Sequence, residues 1–558
     1  MRKYRSLLIV FAVLALLSSA CFCGLFDEEE GEEYLNPAPG EVEEDEAPLQ
    51  PTQPAIVPGR SQSDIGFRPS PHGFSFENYG EDTENLTAAE LQRMFGDQVC
   101  SSMRNGECIL TPPARQWMEE MNDDMSGGHC EGMAALSLLM YTGEVPPQLF
   151  GGDTASELDL DNTELQREIA YWWATQATSP TVDRLITGSP SDILDVLLQM
   201  DARQETYTIG IYQPDGSDGH AITPFAVEDQ GGGVYHVLVY DNNLPGETRI
   251  LTIDRTANTW SYEASINPSE ESELYEGDAE TQTLDLTPTS PRQLIQQCPF
   301  CDEDENAHLT NRLAAQPPTY NYIFMDGEGH VLISDGDGRR LGYSNGKLYQ
   351  EIPGAKAVSI KTGPSDDLTD PIYWLPQGME IFATLDGSAL SQESSSDLVL
   401  IGPGYSFGIE DISLEPGQVD EAYFSPNDGF LSYTTERSES PNIVIGIEEA
   451  TADFYFEIQG MDLENGGEFN ILLNVQDGDL IINAEKLTNV GSFTLYLSRY
   501  DEDSEQIFYA DDLELAAGSI VYIYYGEWTT DGSQLFIGVD LDGDDEIDET
   551  YEVSDEDY

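Results

Sequence analysis

The sequence predicts an α+β fold class, in which helices followed by an antiparallel sheet precede an all-β, sandwich-like region. Apolar residues recur with helical spacing in several stretches up to residue 200, and with a period of two between residues 206 and 253. After residue 320, short apolar runs alternate with Gly, Asp, Asn and Pro turns, as in β-sandwiches. A chain of 558 residues is too long for one compact core, so we expect two or three domains.

The first 23 residues have the layout of a signal peptide. Arg2 and Lys3 precede an apolar run that is too short to span a bilayer, and small residues then lead into Cys21. These residues resemble the lipobox of bacterial lipoproteins, although Ser18 stands where that motif usually has an aliphatic residue. The resemblance implies an exported protein, anchored to the outer face of a bacterial membrane by a lipid on Cys21. Secretion after cleavage nearby is the alternative.

Residues 24–66 are acidic and rich in proline, with too little apolar content to fold, so we expect a disordered tether. The whole chain has 23 Lys and Arg against 105 Asp and Glu, a net charge of −82. This charge repels nucleic acid and anionic lipid, so we exclude nucleic acid as a partner and expect membrane contact through the N-terminal lipid only. The sequence makes no prediction about the oligomeric state.

The cysteines of an exported protein are first considered as disulfides. Cys100 and Cys108 bracket a short polar loop and are expected to pair. Cys298 and Cys301 form a CxxC motif, for which a local disulfide is favoured over a redox or metal site because no second pair or histidine cluster accompanies it. Cys130 is left without a partner, and a reactive site is one reason for such a thiol.

Local patterns place the elements in order along the chain. Thr87 and Glu90 form a capping box that begins the first helix, which extends to Met94. The other predicted helices begin at Thr111, Cys130, Leu165 and Ser191. The predicted strands are 206–212, 221–228, 234–240 and 248–253.

Residues 287–318 contain the CxxC motif, end in Pro-Pro and are predicted to be a linker. The all-β region, residues 319–558, has room for one or two β-sandwich modules.

Cys130 stands among glycines at the start of an apolar helix, where backbone N–H groups and the helix dipole favour a thiolate. The glycines also allow close approach of a substrate backbone. His220 begins a predicted strand, and the next strand ends at Asp241, Asn242 and Asn243. Adjacent antiparallel strands can bring one of these three side chains to the imidazole and fix its orientation.

In this order, Cys130, His220 and Asp241 resemble the site of the papain-like cysteine peptidase superfamily. The resemblance covers about residues 67–253 and implies a papain-like domain over residues 67–286. It also implies that Cys130 is the nucleophile, that His220 is the general base and acid, and that Asp241 orients His220. A peptide or amide bond would be hydrolysed through a thioester, with no catalytic cofactor.

The sequence departs from the family pattern in two ways. The glutamine that serves as oxyanion donor before the cysteine is absent, so Asn122 or a backbone group would have to replace it. Glu131 also places a negative charge beside the thiol. A non-catalytic surface binding or adhesion lipoprotein, with a papain-like scaffold and β-sandwich ligand modules, therefore stays open as the alternative function.

An acidic turn near the C-terminus resembles the first positions of an EF-hand loop, but lacks that motif's glycine and bidentate glutamate. Carboxylates at alternating positions in a turn can converge on calcium, so a structural calcium site is one interpretation and a solvated acidic turn is the other. The candidate ligands are Asp540, Asp542, Asp544 and Asp548.

Overall fold

The computed structural model describes residues 59–554 apart from short internal segments. The predicted signal region with Cys21, most of the predicted tether and part of the predicted linker lie outside the described residues. None of the helices among the described residues has the length and apolar character that a membrane span requires. The internal positions outside the description are 81–83, 215, 217, 265–272, 302–319, 363–369, 485, 488–490, 502–503, 529–533 and 545.

The predicted α+β fold class is wrong. Strands account for 44% of the structure and helices for 19%, in large antiparallel sheets with a half-barrel rather than a papain-like domain of helices followed by a sheet. The helices cover one face of a sheet that forms after residue 319, and they share a core with it. The periodicity of a segment shows that one of its faces is buried, but not which distant segment covers that face. The sequence therefore predicts helices packed only on the sheet that directly follows them.

The α-helices of the described residues all lie in the first half of the chain, and the strands of the first sheet all precede those of the other two large sheets. A two-stranded hairpin, β2 (Cys100–Arg104) and β3 (Glu107–Leu110), joins two of the helices and contains the Cys100–Cys108 disulfide. The α-helices are α1 (Pro69–His72), α2 (Ala88–Phe95), α3 (Pro112–Asp124), α4 (Cys130–Thr142), α5 (Thr163–Ala174) and α6 (Pro190–Leu197).

Nine antiparallel strands form the first sheet. They are β1 (Arg60–Asp64), β4 (Ile186–Thr187), β5 (Tyr207–Ile211), β6 (His220–Gly231), β7 (Val234–Asp241), β8 (Arg249–Asp254), β9 (Thr259–Ala264), β10 (Glu273–Asp278) and β11 (Leu284–Pro288). Their order is β10-β9-β8-β7-β6-β5-β11-β4, and β1, which falls within the predicted tether, also pairs with β6.

Two further antiparallel sheets follow. The second sheet contains β12 (Tyr320–Asp326), β16 (Lys356–Val358), β17 (Ile372–Pro376), β19 (Ser394–Gly402), β20 (Tyr405–Leu414), β23 (Asn442–Glu448), β24 (Asp453–Gln459), β27 (Gly491–Tyr500) and β28 (Glu505–Leu515). These strands follow one another in the order β16-β17-β12-β19-β20-β23-β24-β27-β28.

The third sheet has eleven strands, which follow one another in the order β15-β14-β13-β18-β21-β22-β25-β26-β29-β30-β31. Its strands are β13 (His330–Ser334), β14 (Arg340–Ser344), β15 (Lys347–Gln350), β18 (Ile381–Asp386), β21 (Val419–Ser425), β22 (Phe430–Thr434), β25 (Glu468–Asn474), β26 (Asp479–Asn483), β29 (Ile520–Ile523), β30 (Gln534–Asp540) and β31 (Glu549–Ser554).

The second sheet is buried on both faces, because alternate residues of its strands enter different cores. In β12, Ile323 and Met325 belong to the core shared with the third sheet, whereas Tyr322 and Phe324 belong to the core shared with the helices. The disulfide between Cys298 and Cys301 also lies in the helical core.

Helix α4 lies between the first and second sheets. Leu136 and Leu139 pack into the core shared with the second sheet, and Leu138 packs into the core of the first sheet. Residues 130–140 are all buried, which explains why this helix is apolar on every side. The N-terminus of α4, and therefore Cys130, is enclosed between segments that are distant in sequence.

Candidate active site

Cys130 is the first residue of α4 and is the free cysteine among the described residues. Gly128 has φ of 140°, a conformation that favours glycine, and turns the chain into the helix. The exposed fraction of Cys130 is 0%, as are those of His220 and Asp241. The predicted nucleophile therefore lies at a helix N-terminus, but it does not face solvent.

The pairing of β6 with β7 brings His220 to Asp241. Ile222 in β6 stands opposite Asp241 in β7, and His220 lies two residues before Ile222. The Nε2 atom of His220 is 2.9 Å from Oδ1 of Asp241. The hydroxyl of Tyr262 donates to the other carboxylate oxygen, Oδ2. Of the three orienting groups that the sequence left open, Asp241 is the one in contact with the imidazole.

The other two candidates hold the backbone around the site. Asn242 donates from Nδ2 to the carbonyl oxygens of Cys130 at 2.9 Å and Ala221 at 3.1 Å. The backbone N–H of Asn243 donates to Oδ1 of Asp241 at 2.9 Å. These bonds fix α4 against β6, and the N–H of Ala221 in turn donates to Sγ of Cys130 at 3.3 Å.

Charge at the site favours a protonated imidazole. Burial alone lowers the pKa of His220, but the nearby Asp241 carboxylate and the Cys130 sulfur outweigh it and raise this pKa from 6.5 to about 10. Burial by itself raises the pKa of Asp241. The charge of His220 and its hydrogen bond to Asp241 outweigh burial, so the pKa of Asp241 is lowered from its ordinary value. Since Nε2 of His220 bonds to Asp241, the buried Nδ1 is the ring nitrogen left to serve the thiol of Cys130.

Glu131 does not add a free charge beside the thiol. Its carboxylate pairs with the guanidinium of Arg292 and accepts a hydrogen bond of 2.9 Å from Oγ1 of Thr208. Glu131 and Arg292 are both fully buried. The negative charge that the sequence places next to Cys130 is therefore neutralised by a cation from the turn that follows β11.

His129, the histidine next to Cys130, is not placed as a base. Its ring is buried and stacks on Tyr79. Its Nδ1 donates to the carbonyl oxygen of Tyr79 at 2.7 Å, and its Nε2 is hydrogen-bonded to the side-chain amide of Asn85. Burial lowers the pKa of His129 to about 4, so the ring stays neutral near pH 7.

Asn78 is a site residue that the sequence reasoning missed. Its Nδ2 donates to the carbonyl oxygen of Thr362 at 3.2 Å, and the backbone N–H of Cys130 donates to the same oxygen at 3.4 Å. Asn122, which the sequence analysis considered as the oxyanion donor, is instead hydrogen-bonded to the backbone of Leu86. Its Oδ1 accepts from the N–H of Leu86, and its Nδ2 donates to the carbonyl oxygen of Leu86. No local motif marks Asn78, because it lies outside regular secondary structure and two helices and a hairpin separate it from Cys130 along the chain.

A short segment that contains Lys361 and Thr362 covers the site. The carbonyl of Lys361 accepts from Nε1 of Trp173 at 3.0 Å, and its N–H donates to Oε1 of Gln176 at 2.9 Å. Trp173 and Gln176 belong to α5 and the turn that follows it. The segment comes from the second sheet, so the two halves of the chain meet at Cys130.

The acidic turn brings together three of the four predicted calcium ligands. Carboxylate oxygens of Asp540, Asp542 and Asp548 lie within 4.8 Å of one another, whereas Asp544 is outside this group. Backbone N–H groups of the turn already bond to Asp540 and Asp548. The neighbouring charge of Asp544, with burial and the other two carboxylates, raises the pKa of Asp542.

Comparisons of the chain with protein-family models, with curated proteins and with solved structures found no match.

Proposed function

We propose that the chain is an exported cysteine hydrolase that cleaves a peptide or amide bond. Cys130 is the nucleophile, His220 is the general base and acid, and Asp241 orients His220. The observation that supports this function best is the pair of donors from Cys130 N–H and Asn78 Nδ2, which converge on one carbonyl oxygen beside the thiol. Two converging donors are the arrangement that stabilises the oxyanion of an acyl-transfer intermediate.

The reaction follows from these positions. The thiolate of Cys130 attacks the substrate carbonyl carbon, and the oxygen that becomes negative takes the two donors. Protonated His220 gives its Nδ1 proton to the leaving nitrogen, so the C–N bond breaks and a thioester remains. Water then attacks the thioester while His220 accepts its proton, and the carboxylic acid leaves from the sulfur.

The N-terminus of α4 supports the charge on sulfur through its dipole, and the N–H of Ala221 adds a direct hydrogen bond. The likeness to papain-like peptidases is proposed here for the site alone. Substrate would be a peptide or amide, and the catalytic step needs no cofactor.

Peptide turnover tests this function. Wild-type protein should hydrolyse members of a broad panel of peptide amides, and Cys130→Ala should abolish turnover. Because Cys130 is covered by Lys361 and Thr362, the panel is also tested with Lys361→Ala, which loosens the cover. His236→Gln is the matched control, since this histidine lies in β7 of the same sheet but outside the site. Absence of turnover in both wild type and Lys361→Ala would contradict the proposal.

The complete burial of Cys130, His220 and Asp241 is the observation that favours the second candidate, a non-catalytic surface binding protein. In that protein, the buried hydrogen-bond network would only join the two halves of the chain. This second candidate function predicts that Lys361→Ala is less stable than wild type and shows no Cys130-dependent turnover.

Attachment to a membrane through a lipid on Cys21 is part of the proposal. The wild-type protein should sediment with membranes of the producing cells, and Cys21→Ala should appear in the soluble fraction. Equal membrane association of the two proteins would contradict the anchor.

A further inference from the structure

The residues that cover the active site lie beside Cys130 as the acyl half of a bound substrate would. The carbonyl oxygen of Thr362 accepts from both proposed oxyanion donors, the N–H of Cys130 and Nδ2 of Asn78. A Cβ atom added to Gly128 would lie 2.3 Å from this oxygen, so glycine is needed there. Thr362 therefore holds the position of the residue whose carbonyl reacts, and Lys361 holds the position before it.

The backbone of Lys361 is held by contacts that do not depend on its side chain. Its N–H donates to Oε1 of Gln176 at 2.9 Å, and its carbonyl oxygen accepts from Nε2 of the same side chain at 3.4 Å. Nε1 of Trp173 donates to that carbonyl oxygen at 3.0 Å. Any peptide backbone could make these three bonds, so selectivity at this position has to come from the pocket around the Lys361 side chain.

This lysine pocket is formed by Asp285, Thr287 and Tyr212, which come from neighbouring strands of the first sheet. Asp285 and Thr287 are alternate residues of β11 and therefore lie on the same face of the sheet. In β5, Gly210 stands opposite Asp285, and a Cβ atom added to Gly210 would lie 2.6 Å from Oδ1 of Asp285. The hydroxyl of Tyr212, just after β5, donates to Oδ2 of Asp285 at 2.6 Å. The carboxylate is thus fixed at the wall of the pocket.

The lysine pocket is matched to an ammonium group. Nζ of Lys361 lies 3.6 Å from Oδ1 of Asp285 and 3.4 Å from Oγ1 of Thr287. The side chains of Lys361 and Asp285 are only 3% and 6% exposed. The nearby guanidinium of Arg292 is already paired with Glu131. Burying a charge without a partner is costly, so a neutral or acidic side chain in this pocket would leave the carboxylate without its counter-charge.

We propose that the substrates of this site are peptides with lysine immediately before the residue whose carbonyl is attacked, and that Asp285 selects that lysine. This inference rests on the proposed hydrolase function and names its substrate class. In a bound substrate, the lysine ammonium takes the place of the Lys361 ammonium. The carbonyl oxygen of the next residue then reaches the oxyanion donors, Sγ of Cys130 bonds to its carbon, and the C–N bond that follows breaks as in the proposed hydrolysis.

Binding of a free ammonium tests the lysine pocket separately from catalysis. Lys361→Ala removes the side chain from the pocket and leaves the carboxylate of Asp285. Propylammonium chloride, which matches the lost atoms, should therefore raise the thermal unfolding temperature of this variant in proportion to its occupancy. At the same ionic strength, 1-propanol, a neutral molecule of the same size, should raise it less.

Two double variants show whether the carboxylate binds the ammonium. Lys361→Ala with Asp285→Asn should show no rise from propylammonium beyond that from propanol. Lys361→Ala with Glu276→Gln is the matched control, because Glu276 is an exposed carboxylate of the same sheet, in β10, and it should respond as Lys361→Ala does.

Peptide turnover tests the selectivity. Lys361→Ala is given peptide amides that differ only in the residue before the reacting one, which is lysine, norleucine or glutamate. Its kcat/KM should be at least about tenfold higher for lysine than for the neutral norleucine, and lowest for glutamate. Adding Asp285→Asn should remove the preference for lysine, Thr287→Val should reduce it, and Glu276→Gln should keep it. Each ratio is measured within one variant, so a partly unfolded fraction does not change it.

Equal turnover of the lysine and norleucine peptides by Lys361→Ala, or equal stabilisation of this variant by propylammonium and propanol, would overturn the inference. The two claims fail separately. Turnover without a preference for lysine refutes the inference and leaves the hydrolase function standing. If no peptide is hydrolysed, the hydrolase function fails, and stabilisation by propylammonium that depends on Asp285 would still support the lysine pocket as a binding site.

Discussion

At the scale of residues, the site is a series of buried hydrogen bonds, each of which fixes the position of the next group. Asp241 orients His220, His220 leaves Nδ1 for Cys130, and Asn242 holds the backbone on both sides. Buried polar groups are costly when unpaired, so this hydrogen-bond network stabilises the fold and also sets the protonation of the groups in it.

The raised pKa of His220 predicts a pH-dependent stability. A group whose pKa is higher in the folded state than its ordinary 6.5 stabilises the fold fully below that pH, and the contribution is lost as pH rises toward about 10. The free energy of unfolding of wild type should therefore exceed that of His220→Gln most at pH 6 and least near pH 10. The excess should fall by up to about 1.4 kcal/mol per pH unit across this window.

Chemical denaturation at a series of pH values checks this prediction. His236→Gln serves as the control, because burial lowers the pKa of His236 and any change should then occur below pH 6.5. A constant difference between wild type and His220→Gln from pH 6 to pH 10 would show that His220 is not charged in the folded protein.

The ion pair of Glu131 with Arg292 predicts a large loss of stability when one partner is removed. Glu131→Gln leaves a buried guanidinium without its counter-charge and should cost about 3–5 kcal/mol of unfolding free energy. Glu164→Gln, at an exposed position near the start of α5, should cost less than about 1 kcal/mol. The double change Glu131→Gln with Arg292→Met should recover part of the loss, and a fully stable Glu131→Gln would refute the interpretation.

At the scale of elements, local sequence signals predicted several features well. The capping box of Thr87 and Glu90 is present at the start of α2, and α4 begins at Cys130 as the glycines and apolar run indicate. Strands β5 to β8 lie within a few residues of their predicted positions. These features depend on capping, periodicity and turn residues, all of which are local.

Two parts of the site could not be predicted in this way. Asn78 lies outside regular secondary structure, and Thr362 comes from a hairpin of another sheet. Their meeting at Cys130 depends on how the second sheet packs on the helices, which no periodicity within a segment records. The same packing made the predicted fold class wrong.

The acidic turn between β30 and β31 predicts a metal response. Calcium should raise the thermal unfolding temperature, because it relieves the repulsion among Asp540, Asp542 and Asp548. Asp542→Asn should abolish this rise, whereas Asp544→Asn, outside the group, should keep it. An unfolding temperature that is unchanged by calcium and by chelator would leave the turn as a solvated acidic loop.

At the scale of the whole molecule, residues 53–558 form one compact unit in which the helices are enclosed between sheets. The second sheet is the centre of this arrangement, since one face packs on the third sheet and the other on the helices. The active site lies where the first and second sheets meet, and its own chain covers it. Access to Cys130 is therefore a property of the assembled molecule rather than of any one element.

The central claim is that Cys130 becomes acylated. In its most direct test, the protein is mixed with an activated ester of the peptide Ile-Lys-Thr, which has the sequence of residues 360–362 of the covering segment. The mixture is quenched with acid, and the modified residue is mapped by mass spectrometry. The account predicts a peptidyl group on Cys130 that hydroxylamine removes, and none at Cys130 when His220 is replaced by Gln. Absence of acylated Cys130 in the wild type, or equal acylation in His220→Gln, would contradict it.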